Sequence, residues 1–326
     1  MTSTGGTATA ISPSPNQGSE LVVSTATRPA RRPIRLGSHR NGWVFVIPAV
    51  LVLLLLNIFP LIYSVALSFS NVSTDNGLTF GAATLDNWRT LLNDSSFWDS
   101  LKFTILFVII AVTLEYFIGF GLALLLWRPI RFGGFFRVLF SIPMMLAPVA
   151  IGFMFRMIYD QSNGPVDGTL QRIGLGQPPW LAQPHWAVAS VIIMDIWEWT
   201  PLLFLLLLAG LQALPEDALE AAQLDGASGF RVITSIIFPI LAPISVMVVF
   251  LRMVDAFTVF GQIFLLTGGG PGTATTSTTL FAFFQGFQNF NVSYGATIAL
   301  ALLVIVTAIA LAYLATARFL MRRIEA

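Results

Sequence analysis

The chain has 326 residues, of which 56% are hydrophobic and only 10% are charged, and this composition predicts an integral membrane protein. Its net charge of +1 comes with no basic stripe interleaved with aromatic residues, so nucleic-acid binding is not expected. The absence of cysteine excludes disulfide bonds, thiol chemistry and cysteine-ligated metals.

Residues 1–40 are rich in Ser, Thr, Pro and Gly and end in a cluster of arginines. A segment of this composition cannot bury a core, and it predicts a disordered N-terminal tail in the cytoplasm. The apolar run that follows starts only at Trp43 and extends to about Phe69, which is longer than the apolar part of a signal peptide. We therefore predict an uncleaved membrane helix there, and we assign residues 41–326 to one transmembrane domain.

Six apolar segments are long enough to cross a bilayer, because a hydrocarbon core of roughly 30 Å needs about 20 helical residues. The sequence thus predicts an all-α integral membrane protein with six transmembrane helices. The segments cover residues 43–69, 103–127, 135–158, 186–212, 237–266 and 292–317. Kinked helices around a cavity are expected, since membrane helices tolerate prolines where neighbours satisfy the freed carbonyls. The interrupting prolines are Pro60, Pro143, Pro148 and Pro201.

Basic residues are distributed unevenly between the two sides of these six helices. With the N-terminus inside, 12 of the 17 lysines and arginines fall in the tail, beside the connections after the second and fourth helices, or at the C-terminus. Four fall on the outside. The positive-inside rule therefore predicts that both termini and residues 213–236 are cytoplasmic.

Residues 213–236 form a polar loop between the fourth and fifth apolar segments. Pro215 suits the first turn of a helix, because its missing N–H costs nothing there. Gly226 then favours a turn, and Ser228 can cap a second helix. A helix, a turn and a second helix are predicted, with Pro239 restarting the apolar span.

Charged residues inside the predicted spans are informative, because each costs about 2.5 to 3.5 kcal/mol on insertion scales and normally faces a cavity or another charge. They are Glu115, Asp195, Glu198, Arg252 and Asp255. Arg252 and Asp255 lie three residues apart and can pair on one helix, so a structural ion pair and a contact with a solute are equally open. For Glu115 we expect a hydrogen bond to another helix.

The segment from Asp195 to Pro201 reads Asp-Ile-Trp-Glu-Trp-Thr-Pro. Recognition of a neutral carbohydrate needs carboxylates that accept hydrogen bonds from hydroxyl groups, beside aromatic rings that stack on the apolar face of the sugar. Asp195 and Glu198 lie a helical turn apart, and with Trp197 and Trp199 they are a candidate solute cavity. The competing interpretation is a belt of interfacial tryptophans with acids that reach the membrane surface.

Motifs for nucleotides, metals and catalysis are missing from the sequence. No Gly-x-x-x-x-Gly-Lys-Ser/Thr occurs, and Gly268–Gly272, which lacks the lysine, is expected to be an external turn. The two histidines, His39 and His185, fall in different predicted compartments and form neither a metal site nor a catalytic triad. We expect no cofactor, no bound metal and no catalytic residues.

Two longer motifs lie in the polar loop and in the fifth span. The loop contains Glu220, Ala221, Ala222, Asp225 and Gly226, followed by Ile236 and Pro239. In this spacing it resembles the cytoplasmic coupling loop of ABC importer permeases. Farther along, Asp255-Ala256-Phe257 and the later Thr-Gly-Gly-Gly-Pro ending at Pro271 resemble the fifth helix and following turn of the maltose-type, carbohydrate-uptake members. Gly261 departs from the aspartate that the family often has there.

This resemblance implies a transport function with several partners. In the family, the coupling helix sits in a groove of an ATPase subunit, and an importer contains two ATP-binding subunits, a second homologous permease and an external solute-binding protein. It implies the transmembrane subunit of an ATP-driven importer of a carbohydrate or polyol, in a prokaryotic plasma (inner) membrane. The subunit itself would not be an enzyme. On the same basis Asp255 and Phe257 join the candidate solute cavity.

The residues alone leave two other classes of protein open. A self-sufficient secondary transporter could use Glu115, Asp195 or Asp255 as a proton relay. A membrane enzyme is the third alternative, and it lacks a cluster of acids, bases or metal ligands at a predicted membrane face. Dependence of transport on ATP or on a pH gradient distinguishes the first two.

Overall fold

The computed structural model describes residues 39–72, 80, 83–128, 131–174 and 176–324. No strand occurs among these residues, which confirms the prediction of an all-α protein. The predicted disordered tail lies outside the described residues, except for His39 and Arg40, which begin the first helix. The chain divides within that helix into two units, residues 1–53 and 54–326. The described part of the first unit is helical, and every helix after the first belongs to the second unit.

The helices of the described residues follow one another with short connections. A 3-10 turn at Pro143–Met145 and π-helical turns at Ile233–Ile237 and Phe284–Gln288 lie between them. In chain order the α-helices are α1 (His39–Ser68), α2 (Asp86–Asn93), α3 (Ser95–Leu126), α4 (Gly133–Ser141), α5 (Pro148–Ile158), α6 (Pro165–Arg172), α7 (Pro184–Gln212), α8 (Glu216–Leu224), α9 (Gly229–Val232), α10 (Phe238–Ala256), α11 (Gly261–Leu266), α12 (Thr278–Phe283) and α13 (Val292–Ile324).

Among the described residues, five continuous helical stretches are long and apolar enough to cross a membrane. They are Val46–Ser68, Ser95–Leu126, Pro184–Gln212, Gly229–Ala256 and Val292–Arg322. These stretches match five of the six predicted spans in position. These helices are the candidate membrane spans of the described residues.

The third predicted span, residues 135–158, is divided into α4, the 3-10 turn and α5, so the prediction of one helix there was wrong. Pro143 opens the 3-10 turn and Pro148 opens α5. Ala147 has an extended backbone, with φ −69° and ψ 134°, because the ring of a proline disfavours the helical conformation in the residue before it. Each proline also lacks the N–H that would continue the preceding helix.

The fifth predicted span, residues 237–266, also ends earlier than expected. Its helix stops at Ala256, and the separate helix α11 begins at Gly261. The hydroxyl of Ser277 donates to the carbonyl of Val259 at 2.9 Å, and that of Thr279 donates to the carbonyl of Phe257 at 3.4 Å. Side chains from the following segment thus satisfy carbonyls that the interrupted helix leaves free, as backbone at membrane depth requires.

Helices α3 and α7 pack along each other at the centre of the second unit, and α10 packs against both. Gly119 of α3 allows the close approach, because a Cβ there would lie 3.0 Å from the backbone nitrogen of Phe204. Phe107, Val191 and Met194 are fully buried in the same core. The polar residues of α3, α7 and α10 therefore meet away from water.

Candidate functional site

A buried ion cluster centred on Arg252 joins the three central helices. Its Nε donates to Oε2 of Glu115 at 2.8 Å, and its Nη2 donates to Oε1 of the same carboxylate at 3.1 Å. Nη2 also donates to Asp195 on α7. Nη1 donates to Oδ2 of Asp255, one turn along α10, at 3.0 Å. The side chain of Arg252 is 1% exposed, so the cluster lies in the interior of the protein.

The cluster settles two expectations about charged residues in the spans. Glu115 hydrogen-bonds to another helix, as predicted. The Arg252–Asp255 pair on α10 also forms, but it is one arm of a larger network and not an isolated ion pair. Trp199 extends the network, because its ring centroid lies 4.9 Å from the guanidinium carbon, which is within cation–π range.

A cavity of about 230 Å³ opens beside the cluster. Asp195, Trp199 and Asp255, all predicted as solute-cavity residues, line it together. The Asp255 side chain is 50% exposed, whereas the Asp195 side chain is buried. Asp255 is therefore the carboxylate of the cluster that a molecule in the cavity could reach.

The other three predicted cavity residues lie elsewhere. Glu198 is buried and accepts a hydrogen bond from Nε2 of Gln262 at 3.0 Å. Phe257 is packed in the hydrophobic core. Trp197 faces a separate, apolar cavity of about 460 Å³, between α3, α4 and α7. The predicted set is thus divided between one polar cavity, its supporting residues and an apolar cavity.

Gln262 is a cavity residue that sequence reasoning missed. It lies in α11, lines the cavity and ties that helix to Glu198 of α7. The signal in the sequence was a polar side chain within an apolar run, between Phe260 and Leu266. Because glutamine carries no charge, the cost of burying a charge in a membrane gave no indication of its role.

The polar loop folds as predicted from its local signals. Helix α8 starts at Glu216, directly after Pro215. It ends in a turn where Gly226 has φ +68°, and the N–H of Ala227 donates to the carbonyl of Ala222 at 3.0 Å. This six-residue hydrogen bond around a left-handed glycine is a Schellman motif. The hydroxyl of Ser228 then accepts from the N–H of Arg231 at 3.4 Å and caps α9.

Helix α9 continues into α10 without a break in helical structure. The N–H of Phe238 donates to the carbonyl of Ile233, five residues back, which is the π-helical spacing. Pro239 follows and has no N–H to donate to the preceding turn, which accounts for the altered hydrogen bonding at this point. The continuous stretch Gly229–Ala256 thus connects the polar loop to the helix that carries Arg252.

Exposure differs between the residues of the polar-loop motif. Ala222 is only 6% exposed and faces its own chain, while Ala221 is exposed. Glu220 and Asp225 are exposed as well. Leu224 and Phe230, which the sequence analysis did not single out, are 89% and 77% exposed. Two large apolar side chains therefore project from this loop.

Comparison with known proteins gives a family match over most of the second unit. The family described as "Binding-protein-dependent transport system inner membrane component" matches residues 115–325. The chain is 34% identical over 283 residues to the trehalose/maltose transport system permease protein MalF of Thermococcus litoralis, which covers 85% of this chain and 94% of that protein. It is 34% identical over 238 residues to the sn-glycerol-3-phosphate transport system permease protein UgpA of Agrobacterium fabrum, covering 72% and 80%.

A solved structure shares the fold. One chain in the crystal structure of a bacterial alginate ABC transporter, in complex with an alginate pentasaccharide-bound periplasmic protein, superposes with a TM-score of 0.77. The match covers 86% of this chain and 95% of that chain at 20% sequence identity. At this identity the likeness concerns the fold alone.

Proposed function

The chain belongs to the family of binding-protein-dependent transport system inner membrane components, and on this premise we propose that it imports a carbohydrate or polyol. It is a permease subunit of an ABC importer, and not an enzyme. We propose that an external solute-binding protein delivers the solute, that two ATP-binding subunits supply the energy and that a second, homologous permease completes the pathway. The names of the trehalose/maltose and glycerol-3-phosphate relatives support this class of solute.

The observation that carries the proposal is the continuity between the exposed polar loop and the ion cluster. Leu224 and Phe230 are exposed on the loop, as suits contacts with an ATP-binding subunit, and we propose that Glu220, Ala221 and Asp225 belong to the same surface. From Gly229 to Arg252 the helix spans about 35 Å at 1.5 Å per residue. A push on the loop would therefore move the wall of the Arg252 cavity.

ATP dependence tests this proposal against a proton-coupled carrier. We expect the purified chain to bring ATP-binding subunits with it, and uptake into proteoliposomes to stop when ATP is omitted. Collapse of the pH gradient should leave ATP-driven uptake unchanged, because the carboxylates of the cluster are bound by Arg252 and Glu198 is bound by Gln262. Uptake that needs the pH gradient and ignores ATP would favour the alternative, a self-sufficient secondary transporter.

For the membrane topology we propose six crossings, with α4 and α5 together forming the third. Both termini and the polar loop would then be cytoplasmic, in the inner membrane of a prokaryote. The excess of basic residues on that side supports this orientation. The second half of this broken crossing is held in place by the packing of α5 against α7 and α11.

Cysteine labelling tests the topology, because the chain has no native cysteine. Single cysteines at Ser162 and Ser228 both replace exposed residues. In intact cells an impermeant thiol reagent should label the Ser162→Cys protein and leave the Ser228→Cys protein unlabelled until the membrane is opened. The reverse pattern would contradict the orientation.

We propose that Trp199 and Asp255 contact the solute directly, that Asp195 supports the cavity wall by binding Arg252, and that Glu198 acts through Gln262. Asp195→Asn, Glu198→Gln and Asp255→Asn should each weaken uptake, with the largest effect at the half-exposed Asp255. Losing a hydrogen bond to a charged acceptor costs about 1.5 to 3 kcal/mol, or roughly ten- to a hundredfold in affinity. Basal ATPase activity of the assembled complex should stay near that of the wild type. If all three variants keep the wild-type concentration dependence of uptake, these acids are structural.

Trp197 and Phe257 have less support as solute contacts. The ring of Trp197 is partly exposed in the apolar cavity beside α4, and Phe257 is buried in the core. We propose that Phe257 shapes the cavity wall by fixing the end of α10. For Trp197 we propose a stacking contact with a solute only where that solute extends beyond the polar cavity.

A further inference from the structure

We infer that the cavity beside Arg252 selects its solute by charge, accepting an uncharged polyhydroxy compound and rejecting an anionic one. The inference rests on the proposed function and narrows its class of solute. Similarity alone leaves both classes open, since the names of the relatives include trehalose/maltose and glycerol-3-phosphate. The two classes of solute differ in charge, and charged residues line the cavity.

The guanidinium of Arg252 is already occupied. Its Nε and Nη2 hold both oxygens of Glu115, Nη2 also holds Asp195, and Nη1 holds Asp255. An arginine has five N–H donors, so at most one is left. Two parallel donors are needed for the bidentate grip by which arginine recognises phosphate and similar anions. The Trp199 ring covers the guanidinium as well, at 4.9 Å.

The remaining charged groups around the cavity are acidic. Asp195 and Asp255 line it, and Arg252 is the one basic residue among the described residues that do so. Gln262 donates one of its two amide N–H groups to Glu198 at 3.0 Å, so it offers an anion at most one uncharged donor. A phosphate or sulfonate in this cavity would therefore have to sit beside the half-exposed carboxylate of Asp255 or displace it from Arg252.

The same cavity offers favourable contacts to a neutral sugar. Its hydroxyl groups can donate hydrogen bonds to the exposed oxygen atoms of Asp255, and its apolar C–H face can stack on an aromatic ring such as Trp199. Two like charges 4 Å apart at an effective dielectric constant of 20 repel by an amount equivalent to roughly a thousandfold in affinity. Because Asp255 is half exposed and already paired with Arg252, solvent screening and the arginine reduce this repulsion. We therefore expect the neutral solute to be preferred over the anionic one roughly hundredfold.

Uptake of matched solute pairs by the complete transporter tests the inference. The pairs are trehalose with trehalose 6-phosphate and glycerol with glycerol 3-phosphate, each offered to proteoliposomes with the same solute-binding protein. In the pair that is transported, the neutral member should be preferred roughly hundredfold. Asp255→Asn removes one negative charge with little change in size and should reduce this preference roughly tenfold. Asp99→Asn, an exposed acid that pairs with Lys102 at 3.0 Å, should leave the preference unchanged.

The wild type and the two variants are tested with the same solute-binding protein. A difference in preference between them is therefore caused by the permease. Equal or better uptake of the anionic member by the wild type would overturn the inference. So would a preference that Asp255→Asn leaves unchanged, because the discrimination would then lie outside this cavity. Failure to take up any carbohydrate, neutral or anionic, under ATP would contradict the proposed function itself, and the inference with it.

Discussion

Arg252→Met is expected to prevent accumulation of the folded protein. Without the guanidinium, Glu115 and Asp195 become buried charges with no partner, and breaking a buried ion pair by removing one side costs about 3 to 5 kcal/mol. Stability of a folded domain is typically only about 5 to 15 kcal/mol. The yield of monodisperse protein after detergent extraction, and its apparent unfolding temperature, would measure the loss.

Two controls separate this effect from the mere loss of an arginine. Arg156→Met removes an exposed arginine of α5 whose contact is a long hydrogen bond, 3.4 Å, to the carbonyl of Leu265, and it should behave like the wild type. Adding Glu115→Gln and Asp195→Asn to Arg252→Met should restore part of the yield, because neutral amides cost less to bury than unpaired charges. A stable Arg252→Met protein, or a triple variant no better than the single one, would contradict the role of Arg252 as the centre of the cluster.

Local signals were sufficient to predict the fold of the polar loop. The left-handed turn at Gly226 and the cap at Ser228 depend on backbone conformations that a few neighbouring residues determine. Local chemistry also divides the third span, since Pro148 disfavours the helical conformation in Ala147 and Pro143 has no N–H to continue the preceding helix. Kinks were expected at these prolines, and the structure shows a complete break between α4 and α5.

Long-range partners could be predicted only in kind. The cost of burying a charge indicated that Glu115 needed a hydrogen-bonding partner in another helix, and it has one. Which partner it has depends on how α3 and α10 pack, and 137 residues separate Glu115 from Arg252 in the sequence. The end of α10 at Ala256 also depends on a distant residue. The hydroxyl group of Ser277 donates to the carbonyl of Val259 and replaces the hydrogen bond that a continued helix would supply.

Exposure of individual side chains was the least predictable property of the candidate site. Ala221 and Ala222 are identical neighbours, yet one is exposed and the other faces its own chain. Asp195 and Asp255 bind the same arginine, yet only Asp255 reaches the cavity to a large extent. These differences follow from the rotation of each helix about its axis, which packing against neighbouring helices determines.

The other large effect is expected from the polar loop, where Gly226→Val should abolish ATP-driven uptake while the protein still inserts. At φ +68° a residue with a Cβ costs roughly 1 to 2 kcal/mol, and a β-branched residue is strained further. Apart from its chain neighbours, no atom of the described residues lies within 4 Å of the position a Cβ would take, so the effect would come from the backbone turn and not from a clash. Gly226→Asn is the matched control, because asparagine tolerates this conformation, and it should retain uptake.

A surface variant distinguishes the shape of the loop from its contacts with an ATP-binding subunit. Phe230→Ser removes a side chain that is 77% exposed, and Ala221→Trp adds bulk at an exposed position of α8. Neither change disturbs buried packing, so both proteins should extract and unfold like the wild type. Both should nevertheless lose uptake and fail to co-purify with the ATP-binding subunits, because exposed apolar residues at an interface supply much of its binding energy. Normal uptake by a well-expressed Ala221→Trp, Phe230→Ser double variant would show that this face of the loop is not the docking surface.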